Sequence, residues 1–357
     1  MPLPSQNVAL LTINAFTFLE PMHRTLAVRP LQFLPGKEVI ARRGAPTYRV
    51  MVMDPRGMYP HGIQHVPTGF FYADEEIAFS VVSGIDWKDI IEDAPFSEFN
   101  WASPEELRLM ASLVLCELRD EPYVSLYPVV RYSPRLDADE LDLTCPLTVH
   151  RVRELILKTV AETSSSFGQH GLLRGVVTKK YDTVPADRYG FDRLLMFWEA
   201  LCDASFVFFR GIYTLIKADM LRQHYEFNEE AIVSLYIALD ASFSLVTRHL
   251  QGAGMKDPSA HDAAVWLHHH FDAPFGLDAP HETEKYFEEF YEQRVMTLHP
   301  SNKYGEIPYA PIMHDDIPHL RRSLREIFAY LLLEEHGLDF HSDLQAHLKR
   351  DLRPGCP

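Results

Sequence analysis

The stretch NEEAIVSLYIALDASFSLVTRHL, residues 228–250, decides the fold of the second half of the chain. Its apolar residues recur at the spacing of an amphipathic helix, so one face is expected to pack against other helices. Asn228 is predicted to cap this helix, two glutamates follow in the first turn, and Gly252 comes just after the last turn. The pattern predicts a long helix in the core of a helical bundle.

Several neighbouring segments carry a similar apolar stripe and predict the other helices of the bundle. They span residues 191–221, 257–271, 282–298 and 315–337. Four or five helices with such stripes bury them by packing together. We therefore predict an all-α bundle over residues 187–345, followed by a C-terminal tail over residues 346–357.

The first half of the chain has a different pattern, that of short strands. Runs rich in Val, Ile, Leu and aromatic residues are separated by Pro and Gly. These runs cover residues 7–16, 47–54, 76–84 and 123–132. Helices are predicted over residues 103–120, with Ser103 as the N-cap, and over about 147–162. Residues 1–180 should form a mixed α/β domain, with a hinge over 176–190, and the fold class of the chain is α+β.

The composition indicates a globular, acidic protein. The chain is 46% hydrophobic and has a formal net charge of −16, which argues against broad coating of nucleic acid or of an anionic membrane. The N-terminus lacks the basic and apolar regions of a signal peptide. The most membrane-like stretch, residues 194–216, carries Glu199, Asp203 and Arg210, so a buried helix is expected there rather than a membrane span. We expect a cytoplasmic protein.

Sequence motifs of the common cofactor sites do not occur. The chain contains no Gly-x-x-x-x-Gly-Lys-Ser/Thr, no Gly-x-Gly-x-x-Gly and no Gly-x-Ser-x-Gly motif. Its four cysteines form no Cys-x-x-Cys element, so a structural zinc site built on cysteine is not predicted. We expect neither a cofactor nor a resident metal ion.

Two other groups of polar residues have alternative interpretations. His268 and Asp272 are four residues apart on a predicted helix and could share a metal ion, but no third ligand is evident, and a surface helix end is preferred. Asp54, Arg56 and the histidines of MYPHGIQH would line a loop cleft of a sensing domain. A plain turn is the more common structure for such a Pro/Gly-rich segment.

An arginine and a histidine stand out in YEQRVMTLHPSNKYGEI, residues 291–307. At about 100° per residue, Arg294 falls within the apolar stripe of its helix, where a charge must be paired or must face a cleft or an interface. Pro300 disfavours helical geometry at the residue before it, so the helix should end near His299. Arginine offers a fork suited to phosphate, and histidine is a general acid or base near neutral pH.

The order of these segments resembles the HEPN superfamily over about residues 187–345. The likeness rests on the helix order, on ALDASFSLV, and on YEQRVMTLHP followed by LRRSLREIFAYLL. It implies that two protomers bring their Arg/His pairs into one cleft and cleave RNA without a metal ion. The ribose 2′-OH attacks the adjacent phosphate and leaves a 2′,3′-cyclic phosphate end. By this resemblance Arg294 would stabilise the charge developing on the phosphate, and His299 would transfer the proton.

Four basic residues near the pair are the predicted RNA contacts. Lys303 lies in the loop after it, and Arg321, Arg322 and Arg325 crowd one turn of the last predicted helix. Their functional interpretation is a local phosphate-binding patch beside the Arg/His pair. The alternative is a solvated helix face that pairs with nearby acids.

Two functional hypotheses follow, beside a third, a ligand-binding N-terminal enzyme whose helical half only dimerises, for which residues 1–180 offer no clear set of pocket residues. The first is a metal-independent endoribonuclease that acts as a homodimer of the bundle, as in prokaryotic defence or toxin-like proteins, with an N-terminal domain that senses an unidentified trigger. The second is a non-catalytic HEPN-like dimerisation or scaffold protein with a ligand-sensing N-terminal domain, in which Arg294 makes a structural ion pair. The position of Arg294 on the apolar stripe favours the first. The acidic net charge, and Val295 at a position that is often polar in active members, favour the second.

Overall fold

The protein has an α+β fold with a helical C-terminal region, as the sequence predicts. The structure, a computed structural model, describes residues 10–11, 39–40, 48–83, 103–119, 124–132, 145–166, 180–202, 204–276, 294, 297 and 316–351. Among these residues, the strands lie mainly in the N-terminal part and most helices lie in the C-terminal half. Sheet and helices are thus segregated along the chain, which is the definition of the α+β class.

Contacts between residues divide the chain into two compact units. The first unit comprises Met1–Leu113 and Tyr123–Ser205, and the second comprises Val114–Pro122 and Phe206–Pro357. The division falls after Ser205, beyond the predicted hinge at residues 176–190. The reason is that Phe197 and Trp198 are core residues, and the Trp198 carbonyl accepts a hydrogen bond from Arg108 of the first unit.

The strands of the first unit form three sheets. The described strands are β1 (Leu10–Leu11), β2 (Val39–Ile40), β3 (Tyr48–Met53), β4 (Met58–Pro60), β5 (Gly62–Val66), β6 (Gly69–Ala73), β7 (Ala78–Ser83), β8 (Pro128–Tyr132) and β9 (Asp182–Val184). The main sheet is antiparallel and has the order β5-β6-β7-β3-β8. β1 pairs with β2 in an antiparallel manner, and β4 pairs with β9 in a parallel manner.

Both faces of the main sheet are covered at β3. Val50, Met51, Val52 and Met53 of β3 are all buried. Because successive side chains of a strand point to opposite faces, a run of four buried residues requires packing on both sides. The continuous apolar run VMVM in the sequence reflects this position.

The Pro/Gly-rich stretch DPRGMYPHG, residues 54–62, contains β4 although it lies between the predicted strand runs 47–54 and 76–84. The backbone N and O of Met58 both bond to Ser125, at 3.0 Å each. β4 is short and lies beside β9 in a two-stranded sheet, so Pro60 at its end interrupts no central ladder.

Three of the described α-helices belong wholly or mainly to the first unit. They are α1 (Pro104–Leu115), α2 (Pro146–Ser166) and α3 (Leu194–Ala200). The predicted cap of α1 is confirmed, since the Glu106 backbone N–H donates to Ser103 Oγ at 3.2 Å and the Ser103 N–H donates to Glu106 Oε2 at 2.5 Å. This reciprocal capping box satisfies donors that a helix start otherwise leaves unpaired.

The remaining α-helices whose bounds the structure describes belong to the second unit. They are α4 (Phe206–Arg222), α5 (Asn228–Gly252), α6 (Ala260–Leu267), α7 (Asp316–Leu333) and α8 (Leu338–Asp351). α5 contacts α4, α6 and α7. The stretch 228–250 therefore forms the core of this unit, as predicted. α4 and α7 approach closely at Gly211, where an added Cβ would lie 2.4 Å from the Phe328 ring.

Three helix predictions differ from the structure. The stretch 191–221 forms two helices, α3 and α4, rather than one. Asn228 is the first helical residue of α5 and not its cap, because the short 3-10 turn Tyr225–Phe227 leads directly into the helix. α8 extends through residues 346–351 of the predicted tail.

Among the described residues, one helix is long and apolar enough to cross a membrane. It comprises Tyr225–Gly252, and 61% of its apolar window is buried inside the protein. Most of that window therefore lies inside the protein, as expected for a core helix.

Candidate active site

Arg294 makes an ion pair with a carboxylate on α5. Arg294 is helical, and its Nη1 donates to Asp240 Oδ1 across 2.7 Å. The Arg294 side chain is 28% exposed and the Asp240 side chain 50%. Partial burial raises the pKa of Asp240, and the charge of Arg294 works against that rise. The guanidinium is thus held in one orientation and still meets solvent.

The carboxylate of this pair is the residue that the sequence analysis missed. Asp240 interrupts the apolar run YIALDASF of α5. A charge within an apolar helical run needs a partner or solvent. That interruption is the signal that Asp240 has a partner or faces solvent, but it does not name Arg294.

Two other residues predicted near Arg294, His299 and Lys303, lie outside the described residues. The general acid/base role of His299 and the RNA contact of Lys303 therefore stay predictions. The structure brings together Arg294 and Asp240, and it leaves the Arg/His pair itself undescribed.

Arg321 is placed in the interior, which corrects its interpretation as an RNA contact. Its side chain is 0% exposed and lies between two carboxylates. Nη2 donates to Glu117 Oε1 and to Asp219 Oδ2, both at 2.7 Å, and Nη1 pairs with the other Glu117 oxygen. Burial lowers the pKa of Arg321, but the charges of Asp219 and Glu117 outweigh it and raise that pKa. A guanidinium enclosed in this way cannot contact an external phosphate.

Arg325 is buried beside Arg321 and also binds the segment around Glu117. Its Nη1 donates to the Glu117 carbonyl, and its Nη2 lies 3.2 Å from Glu326 Oε1. Arg322, between the two, is only partly buried. The predicted basic patch is thus divided, because two of its three helical arginines hold the segment around Glu117 against α7.

Histidines and aromatic rings form a continuous cluster that involves α6, α7 and α8. The Trp266 ring lies 4.7 Å from His270 and 5.6 Å from Tyr330, measured between centroids. His336, in the turn before α8, stacks on Phe340 at 3.7 Å with the ring planes 7° apart. We call these five residues the His/aromatic cluster. Its rings are partly or fully buried, so it is mainly a packing core for the end of the chain.

His268 and Asp272, the residues that could share a metal ion, are in contact with each other. His268 Nδ1 lies 3.6 Å from Asp272 Oδ2, within the π-helical turn His268–Asp272 that follows α6. Over the part of the chain that the structure describes, no group of three or more His, Cys, Asp or Glu side chains could hold a metal ion. The pair is consistent with the preferred interpretation, a helix end.

We expect His336 to make the protein less stable at acidic pH. Burial lowers the pKa of His336 to about 4; a hydrogen bond to the His270 backbone opposes this, and the charges of His270, His341 and Arg119 add to the lowering. The unfolded pKa is near 6.5, so the unfolded chain takes up the proton first. Stability is therefore lost as the pH falls from about 6.5 towards 4.

The measurement is urea unfolding of wild type and His336→Gln at pH 7.5 and at pH 4.5. Glutamine keeps a side-chain donor but does not titrate. Relative to the variant, wild type should lose about 1–2 kcal/mol between the two pH values, after allowance for solvent screening of this half-exposed ring. His319→Gln, at an exposed position of α7, should follow wild type. Equal losses in wild type and His336→Gln would assign the acid sensitivity to other groups.

Of the loop-cleft residues of the first unit, Asp54 and Arg56 lie in a turn, whereas His61 lies between β4 and β5 and His65 lies within β5. Asp54 is buried and accepts hydrogen bonds from the Arg56 backbone N at 2.9 Å and from its Nε at 2.8 Å. The Arg56 guanidinium lies 4.5 Å from the centroid of the Tyr127 ring. The Tyr59 hydroxyl donates to the Asp54 carbonyl. Asp54 and Arg56 thus stabilise the connection between β3 and β4, as the plain-turn interpretation predicts.

Comparisons of the chain with protein-family models, with characterised proteins and with solved structures return no significant match. The HEPN resemblance therefore rests on the helix order and on the residues around Arg294.

Proposed function

We propose that the second unit is a metal-independent endoribonuclease of HEPN type in which Arg294 binds the scissile phosphate. The observation that carries this proposal is the Arg294–Asp240 pair. Its guanidinium is partly exposed and is oriented by a carboxylate on a core helix. A donor that is already oriented stabilises developing charge without a cost of reorganisation. Asp240 would act as a positioning residue.

The proposed reaction needs only the RNA itself and two protein groups. The ribose 2′-oxygen forms a bond to phosphorus while the bond from phosphorus to the 5′-oxygen breaks. His299 takes the proton from the 2′-OH, or its protonated form delivers one to the leaving oxygen. Arg294 stabilises the extra negative charge on the phosphate oxygens. A second protomer would supply the complementary pair in a shared cleft, as the resemblance implies.

Further parts of the proposal rest on resemblance to prokaryotic defence and toxin-like proteins. The first unit would sense a trigger, and the protein would act in the cytoplasm. Fold-level likeness alone supports these roles.

A second candidate function is a non-catalytic dimerisation or scaffold module. Its specific support is twofold. The Arg294–Asp240 ion pair is the contact that this hypothesis predicts, and the internal use of Arg321 and Arg325 leaves a weaker basic surface for RNA than the sequence suggested. The formal net charge of −16 also weakens binding to the negatively charged RNA backbone. In this case the Arg294–Asp240 pair only joins two helical segments.

The test is incubation of the purified full chain with total RNA in EDTA. We expect wild type to leave 2′,3′-cyclic phosphate ends. Arg294→Ala and His299→Ala should each lower the rate by a factor of about 100 or more, because each removes a group that acts in the transition state. Asp240→Asn should cause a smaller loss. Arg248→Ala, an exposed arginine on the same helix as Asp240, is the matched control and should keep full activity.

Other outcomes separate the two candidates. Cleavage that persists in folded Arg294→Ala and His299→Ala proteins would remove the Arg/His mechanism. If no protein cleaves RNA and sedimentation shows a stable dimer, the scaffold function is favoured.

A further inference from the structure

The C-terminal helix α8 packs on the rest of the second unit through Phe340 and its neighbours. Phe340 is 4% exposed, whereas Leu338 and Leu348 of the same helix are 71% and 49% exposed. The centroid of the Phe340 ring lies 5.2 Å from that of Phe275 and 3.7 Å from that of His336. A helix that buries so little has low local stability and can open without unfolding of the whole unit.

Arg119, in the segment Val114–Pro122, holds the first turns of α8. Its backbone N donates to Asp339 Oδ2 at 2.9 Å, and its guanidinium lies 5.3 Å from the centroid of the Phe340 ring. Its Nη1 is 3.8 Å from Asp343 Oδ2, one turn further along α8. These contacts place a permanent positive charge beside the aromatic contact of the helix.

The turn between α7 and α8 has the features of a hinge. Glu334 directly follows α7 and has a φ of +56°, in the left-handed region that a residue with a Cβ rarely adopts. Its backbone N donates to the Tyr330 carbonyl at 2.6 Å, and Gly337 lies three residues later. Strained backbone of this kind occurs in segments that switch between conformations. His336 lies within this turn.

Among the described residues, the groups that face His336 are aromatic rings, other histidines and an arginine. They are Tyr330 of α7, Phe271 and His270 of the π-helical turn after α6, Phe340 and His341 of α8, and Arg119. Glu334 and Glu335, the acids of the same turn, are exposed. A proton on His336 therefore adds a positive charge where Arg119 already supplies one.

An imidazolium is disfavoured at this position. A cation is attracted to the face of a phenyl ring, so the stack on Phe340 alone would favour the charged form. Burial opposes the charged form most strongly, and nearby positive charges add to this, so the pKa of His336 falls to about 4 despite a hydrogen bond to the His270 backbone. A ring released to solvent has a pKa near 6.5. Docking of α8 is therefore weakened as the pH falls from about 6.5 towards 4.

We propose that α8 is a strap that detaches from the second unit when His336 takes up a proton. The strap turns about the segment 334–337, and the rings of Phe275 and Tyr330 lose the cover of Phe340 and His336. The core around α5 and the buried network of Arg321 are built from other residues, so they stay folded. The proposal names the element that opens first in acid, and it does not depend on RNA cleavage.

The experiment measures amide hydrogen exchange of the full chain at pH 7.5 and pH 5.0. Protection factors correct for the effect of pH on the intrinsic exchange rate. We expect α8 to be at least about 10-fold less protected than α5 at both pH values, because it opens locally. Protection of α8 should fall by a further factor of about 10 at pH 5.0, after allowance for solvent screening of the half-exposed ring. Urea below the unfolding transition should hardly change exchange in α8, because local opening exposes little surface.

Two variants test the role of His336. His336→Phe keeps a ring for the stack on Phe340 but does not titrate, so α8 should have the same protection at both pH values. His341→Gln, at an exposed position of α8, is the matched control and should keep most of the pH response. Phe340→Ala removes the aromatic contact and should leave α8 unprotected at both pH values, which gives the reference for the released strap.

Three results would overturn the proposal. The first is equal protection of α8 in wild type at pH 7.5 and pH 5.0. The second is a pH response that persists in His336→Phe, which would assign it to another group. The third is exchange in α8 with the same protection and urea dependence as in α5, which would show that α8 opens only when the whole unit unfolds. The first and third results use wild type alone, so they decide the matter even if a variant does not fold.

Discussion

Replacing Arg321 with methionine should lower the free energy of unfolding by about 3–5 kcal/mol. The change removes the cation between Glu117 and Asp219, which are each only 4% exposed. Two carboxylates would then lie in the interior, with Arg325 Nε, 3.8 Å from Glu117 Oε2, as the remaining buried cation near them. Removing one partner of a buried ion pair leaves desolvated charge that the other contacts offset only in part. The effect concerns the second unit, where the network joins the segment Val114–Pro122 to α4 and α7.

Urea unfolding and amide hydrogen exchange in α4 and α7 measure this effect. Arg322→Met, on the same turn of α7 but only partly buried, is the matched control, with an expected cost of about 0.5 kcal/mol. A triple variant, Glu117→Met, Asp219→Leu and Arg321→Met, should recover most of the loss, since apolar residues of similar volume replace such networks without penalty. A loss below about 1 kcal/mol for Arg321→Met alone would contradict the buried network.

The spacing of apolar residues and arginines along α7 already predicts that Arg321 and Arg325 lie in the core. Arg321 is four residues after Ile317 and three before Leu324, and Arg325 is three residues before Phe328. All these positions share one helical face, and all are buried. Counting charges suggested a basic patch, whereas helical phase predicts a buried network. The acids that make burial tolerable, Glu117 and Asp219, are far away in the sequence, so their pairing could not be predicted.

Local signals were the part of the fold that the sequence predicted well. The α1 cap depends on Ser103 and Glu106, which are three residues apart, so a short motif specifies it. α8 was missed because Gly337 is a typical helix stop and because the helix buries little. Phe340 is buried, but Leu338 and Leu348 are exposed. In the candidate site, Arg294 was identified from its apolar neighbours. Identifying Asp240 as its partner required knowledge of how two helical segments that are distant in the sequence pack together.

Substitution of Gly69 by alanine should lower the free energy of unfolding by at least about 3 kcal/mol. Gly69 opens β6 and pairs with Val82 of β7. A Cβ at this position would lie 1.9 Å from the Val81 carbonyl oxygen and 2.8 Å from the Val82 Cα. These are backbone atoms of the neighbouring strand, so no side-chain rotation relieves the clash. The strands must separate, and the β6–β7 ladder loses hydrogen bonds that remain buried.

Gly62→Ala separates this clash from the general effect of losing a glycine. Gly62 has a φ of +89° and nothing within 4 Å of an added Cβ, so alanine there costs only backbone strain, about 1–2 kcal/mol. The measurement is urea unfolding with amide exchange across β6 and β7. Gly69→Ala should open both strands to exchange, and Gly62→Ala should leave β7 protected. If Gly69→Ala proved the milder of the two, the close approach of Gly69 to Val81 would be wrong, and with it the register that places β6 beside β7.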